Sequence, residues 1–174
     1  VFDVETKQIG NPYEIDAVAI SIISTDDGKS RYYPEEYIRE GVEFLLATPG
    51  LVGFNSRRFD VPVLLKYMSR GEGRKLRAKP HFDIFYELQQ EFPGLRISLA
   101  NFSRTTLGLE KFELTTDTAI GLYKHDPDKL RAYVTRDTRL TYLLYLHAFE
   151  KGYLEFIYPV RRRFYPENFG RTTT

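Results

Sequence analysis

Residues 1–6 read VFDVET, and the alternation in that hexapeptide decides how the rest of the chain has to be arranged. In an extended strand successive side chains point to opposite faces, so Asp3 and Glu5 share one face while Phe2 and Val4 share the other. The apolar pair can enter a core. The acidic pair sets like charges side by side, which destabilises a strand unless something opposite neutralises them. The fold therefore has to bring a cation or a set of donors to the Asp3–Glu5 face.

Outward from that strand, IGNPYEIDAVAISIIST reads as a turn and a second strand over about 17–25. DDGKS is a hairpin signal and RYYP a third short strand ended by Pro34, giving an antiparallel three-stranded start. EEYIREGVEFLLAT has apolar residues at helical spacing, and LVGFN is a short buried strand. SRRFDVPVLLKYMSRG is expected to be one helix closed by Gly71, followed by a basic loop over Arg70–Lys79. PHFDIFYEL reads as a strand running into a helix, and ISLANFSRTTLGL as a helix capped by Ser98 and ended at Gly108. Asp126 and Pro127 open a long helix to Lys151 that stops at Gly152. Early strands followed by alternating helix and strand predict an α/β layered fold with a mixed sheet.

A chain of 174 residues, 42% hydrophobic, is expected to form one domain over 1–174, with 158–174 as a basic, aromatic tail. No apolar run approaches the ~20 residues of a membrane span and no signal peptide is visible, so a cytoplasmic protein without membrane contact is expected. There is no cysteine, which excludes disulfides and thiolate metal sites. A net charge of +1 says little about partners; the basic clusters at Arg70–Lys79 and Arg161–Arg163 say more. The chain starts without Met inside a strand, so some residues are expected to precede Val1.

The long helix contains LRAYVTRDTRLTYLL, where Leu130, Tyr133, Val134, Asp137, Thr141 and Leu144 form one face. A face of that kind is buried, yet it carries Asp137, and Tyr133 one turn earlier addresses the same point. Asp60, in GFNSRRFDVP, stands at a strand-to-helix junction. Four carboxylates on three elements match the charge of two hard divalent cations, which take oxygen ligands.

Taken in order, Asp3-x-Glu5, Asn55-x-x-x-Phe59-Asp60 and Tyr133-x-x-x-Asp137 resemble the three motifs of the DEDD-superfamily 3′–5′ exonucleases. Tyr133 in place of a histidine is similar to the DEDDy branch, which includes the proofreading domains of family B DNA polymerases and stand-alone relatives. NSRRFDVPVL, HFDIFYEL and SLANFSRTTLGLEK extend the resemblance over residues 2 to about 145. It implies an RNase H-like three-layer α/β fold with a mixed five-stranded sheet flanked by helices. It implies two divalent ions, Mg or Mn, held by Asp3, Glu5, Asp60 and Asp137, with Tyr133 orienting the attacking water.

Asn55, Phe59 and the Thr6 amide are then expected at the terminal nucleotide of a single-stranded nucleic-acid 3′ end, DNA favoured over RNA. Trimming of RNA 3′ ends, or a non-catalytic binding module, are the alternatives. Weighed beside these, Asp60 reads equally as a helix cap, Phe59 as core, Asp83 as structural or supporting, and His81 as an edge residue. Lys111 reads as solvated, the 70–79 stretch as a solvated loop or a phosphate track, and the tail as a contact for nucleic acid, this domain or a protein partner.

Overall fold

The computed structural model describes residues 1–111 and 116–166, so the tail reading beyond 166 lies outside the described residues. Strand β1 (Phe2–Thr6) runs antiparallel to β2 (Ala17–Ile23), and β2 antiparallel to β3 (Ser30–Pro34), as the opening sequence predicts. Asp3 lies opposite Ser21 and Glu5 opposite Ala19, with a bulge between Glu5 and Thr6 that ends the regular ladder beside the acidic pair. Every residue of β2 is buried, so this strand is covered on both faces. Helix α1 (Ile38–Ala47) covers one of them through Ile38, Val42 and Leu45. Gly41 permits the close approach, because a Cβ there would stand 2.9 Å from Ile20 Cδ1 and 3.1 Å from the Tyr33 ring.

Strand β4 (Leu51–Gly53) leads into a turn and then α2 (Asp60–Leu64), α3 (Arg70–Arg77) and β5 (His81–Asp83), which pairs parallel with β4. The single helix expected over 56–71 does not form. Met68 is extended and Ser69 starts a new helix, its hydroxyl accepting from Glu72 N while the Glu72 side chain accepts from Ser69 N. That capping box converts the predicted basic loop into α3, with Arg74, Lys75 and Arg77 suiting its C-terminal dipole. Helices α4 (Ile84–Glu91), α5 (Leu99–Phe102), α6 (Thr116–His125) and α7 (Pro127–Lys151) follow. The Ser98 hydroxyl caps α5, Asp126 caps α7, and Gly108 and Gly152 adopt the left-handed conformation that ends their segments.

The five strands do not form one mixed sheet; the ladder divides into β1–β2–β3 and β4–β5. Val1 and Ile23 exchange both backbone hydrogen bonds at 2.8 Å, so Asp3 and Glu5 turn their amides toward β2 and Val4 turns its own toward the other edge. There the Val4 N–H donates to Asp60 Oδ1 at 2.8 Å. A side chain holds the group that a neighbouring strand would have taken.

The expected tail is also partly structured. Strands β6 (Leu154–Ile157) and β7 (Arg161–Phe164) form an antiparallel hairpin whose Leu154, Phe156 and Phe164 are buried. They join α4, α5 and the C-terminal half of α7 in one core cluster, while Leu130 and Val134 of α7 pack on Val18 and Ala19 of β2. Among the described residues no helix is long and apolar enough to cross a membrane.

Candidate metal centre

The bulged end of β1 and the middle of α7 meet, and one carboxylate oxygen from each of Asp3, Glu5 and Asp137 lies within 4.8 Å of the others. Asp3 and Glu5 are half-buried and Asp137 is buried. Burial, then the charge on Asp137, pushes the Asp3 carboxyl up to about 7. Burial, then Asp3 and Asp137, pushes Glu5 up to about 8. Burial also raises Asp137, opposed by Lys111. These groups resist being charged together without a cation, which is the electrostatic problem that the sequence poses.

Asp60 lies outside this group of three. Its carboxylate is buried and accepts the Val4 N–H, so it borders Asp3 from the β4 side, and burial followed by the Asp3 charge raises its pKa. It does not act as a side-chain cap for α2. Tyr133 stands one turn before Asp137 with its hydroxyl near both Asp137 and Lys111. Asn55 has φ +61°, a conformation that asparagine tolerates better than most residues, and its backbone N–H donates to Asp83 Oδ1. Phe59 packs, half-buried, against the core formed by residues of β1, β2, α1 and α2. Thr6 follows the bulge and spends its hydroxyl on Gln8 O.

The structure corrects the reading of Lys111 as solvated. Its Nζ lies 2.6 Å from Asp137 Oδ2 and 5.5 Å from the Tyr133 ring centroid. Burial alone would lower its pKa, but the Asp137 charge raises it above the ordinary lysine value. The chain reaches this position through the wide turn Ser103–Leu107 and the left-handed Gly108, and Arg136 holds Glu110 O at 2.6 Å. No local sequence signal marks this pairing of Lys111 with Asp137, which depends on the turn of the fold.

Asp83 supports the turn that carries Asn55, Phe59 and Asp60. Its carboxylate accepts from Asn55 N and Arg57 N at 2.8 Å and caps α4 through Phe85 N and Tyr86 N. Ser56 Oγ lies 2.8 Å from His81 Nε2, but Ser56 is fully buried, so this pair braces the turn and offers no accessible nucleophile. Asp83→Ala removes a helix cap and the charge-assisted bonds to the turn, and is expected to destabilise the protein by about 3 kcal/mol. Urea unfolding checks it: a midpoint no lower than that of Arg58→Ala, an exposed control on the same turn, would refute the bracing role.

A cavity of about 650 Å³ lies near the other end of β1, lined in part by Val1, Phe2, Phe44, His81 and Tyr145, and includes none of the clustered acids. Chemistry, not cavity size, marks the site. An acidic cluster shared by the first strand and a long helix, within an α/β layered core, makes this a candidate divalent-cation centre. Residues 1–150 match the family profile of the RNase H superfamily, and the chain belongs to that superfamily. No curated protein matches the chain.

Proposed function

We propose that the protein is a metal-dependent 3′–5′ exonuclease that removes nucleoside 5′-monophosphates from single-stranded ends, with DNA the favoured substrate. The supporting observation is the convergence of Asp3, Glu5 and Asp137 within 4.8 Å, one helical turn from Tyr133. The donor set fits hard divalent ions, Mg or Mn: every candidate ligand is a carboxylate, and Asp137 Oδ1 is buried with no hydrogen bond among the described residues. When bound, such ions supply an activated water and stabilise the leaving 3′ oxygen.

Asp3, Glu5 and Asp137 would hold the cations, with Asp60 assisting from the β4 side of Asp3. Burial raises the Tyr133 pKa, so its phenol stays protonated and orients the attacking water as a hydrogen-bond partner instead of acting as a base. Lys111 neutralises Asp137 in the absence of cations and places positive charge beside the scissile phosphate. Asn55 and Phe59 present the turn to the terminal nucleotide, and Thr6 lines the approach along β1.

The test uses matched DNA and RNA oligonucleotides labelled at either end, incubated with Mg²⁺, Mn²⁺ or EDTA. Mononucleotide release from the 3′ end, abolished by EDTA and faster on DNA, is expected. Faster release from RNA would identify an exoribonuclease. Binding without release in either metal would leave a non-catalytic module, and activity in EDTA would refute the proposed mechanism.

A further inference from the structure

The β6–β7 hairpin lies outside the acidic centre and outside the residues matched to the superfamily. Its inward side chains Leu154, Phe156 and Phe164 fix it to the core, so the rest of the hairpin is displayed on a rigid support. Arg161, Arg162 and Arg163 are all exposed. Arg161 and Arg163 share a single carboxylate, Glu155, at 3.5 and 3.1 Å. The Arg163 guanidinium lies 4.3 Å from the Tyr153 ring centroid, and Tyr165 continues that aromatic row 6.1 Å further on. At the turn, Tyr158 is 57% exposed beside Val160, which is 62% exposed.

Charged side chains on an edge strand ordinarily serve to block edge-to-edge association. That purpose does not call for exposed tyrosines interleaved with the arginines. Guanidinium groups pair with phosphates and stack on rings, while exposed aromatic faces take bases of any identity. We propose that this hairpin face is a binding surface for single-stranded nucleic acid, gripping the strand away from the acidic centre. Asp137 and Lys151 are separated by roughly 20 Å of helix, so the hairpin serves nucleotides several positions from the cleaved end. The inference rests on the nuclease reading for the identity of the strand, but not on the acids being catalytic.

Arg161 and Tyr158 are the residues to change: both are exposed, and Arg161, paired with Ile157, shares the outward face with Arg163 while holding Glu155 only at the longer distance of 3.5 Å. The probe is a 5′-fluorescein oligothymidylate longer than the ~4–16 nucleotides that single-strand platforms span, followed by anisotropy in EDTA. Arg161→Ala with Tyr158→Ala is expected to weaken binding at least ~10-fold. The slope of log affinity against log salt should shrink by about 0.7, because one fewer phosphate is neutralised. The melting temperature and the release of mononucleotide from a very short oligonucleotide should stay unchanged.

Equal titrations of variant and parent overturn the proposal. So does a parent that does not bind the probe, or a variant that loses self-association in sedimentation while keeping its affinity for the oligonucleotide. If the parent binds through the hairpin but hydrolyses nothing in Mg²⁺ or Mn²⁺, the exonuclease reading fails and this one stands.

Discussion

Asp3→Asn is expected to abolish hydrolysis while raising the melting temperature of the metal-free protein. The two effects share a cause. Asp3 is half-buried next to Glu5, Asp60 and Asp137, and its raised pKa reports that its charge is unfavourable in the absence of a cation. An amide of the same shape removes that repulsion and would also remove an anionic ligand. Activity should fall at least ~10³-fold, the order expected when a member of a catalytic group acting as a unit is removed.

Asp137→Asn makes the contrast. It should lose activity equally, yet gain no stability, because it strands the Lys111 ammonium that now lies 2.6 Å from Asp137 Oδ2. Single-turnover degradation of a 3′-labelled oligonucleotide and thermal melts in EDTA measure both quantities. Parental activity in either variant would remove that residue from the site. Equal stability changes in both would refute the electrostatic account.

The parts of this site that were legible in the sequence are those encoded by local spacing. Asp3 and Glu5 share a strand face because their separation is two, and Tyr133 and Asp137 share a helix face because theirs is four. Ser98, Gly108, Asp126 and Gly152 marked element ends through cap chemistry that needs no tertiary partner. The capping box at Ser69 and Glu72 has an equally local signature, which the surrounding arginines and Gly71 mask. Alternation in Leu154 and Phe156, with Phe164 beyond, was the corresponding signal for the hairpin.

Other features were not written locally. Lys111 reaches Asp137 only once the Ser103–Leu107 turn has brought its segment back against α7. Asp60 takes the Val4 amide from the far edge of β1, and no pattern within either segment announces that a carboxylate will stand where a strand ladder was expected. Both pairings join residues distant in sequence, each decided by how two layers meet. Both also touch the acidic centre, where local rules are most often set aside for function.

The acids that would bind the cations should make the metal-free protein progressively less stable as pH rises. Asp3 moves from 3.8 to about 7 and Glu5 from 4.5 to about 8, so across that interval the folded state holds more protons than the unfolded state. Stability contributed by these groups is therefore complete near pH 4 and lost by about pH 8. Surface acids with lowered pKa values, Glu72 and Asp16 among them, contribute a constant stability above their unfolded values and lose it only below them, so they leave the range from about pH 5 to about pH 8 unaffected. His81, pushed down to about 4 by burial, and the Val1 amine, pushed down to about 6, work in the opposite direction.

The clean measurement is accordingly a difference: the melting temperature of the parent minus that of the Asp3→Asn/Glu5→Gln double variant, in EDTA, from about pH 5 to about pH 8. With partial solvation and sharing of protons between the two groups, the decline should be about 2–4 kcal/mol, or roughly 5–15 °C. Adding Mn²⁺ near pH 8 should restore about 2.7 kcal/mol at one hundred times its dissociation constant in the parent, and nothing in the double variant. Lys111→Met removes the ammonium beside Asp137, so its decline with pH should be steeper and its recovery in Mn²⁺ larger. A difference that stays flat with pH, or a parent whose melting temperature ignores both Mn²⁺ and Mg²⁺, would mean that the carboxylates are satisfied by the protein alone and that no cation belongs opposite Asp3 and Glu5.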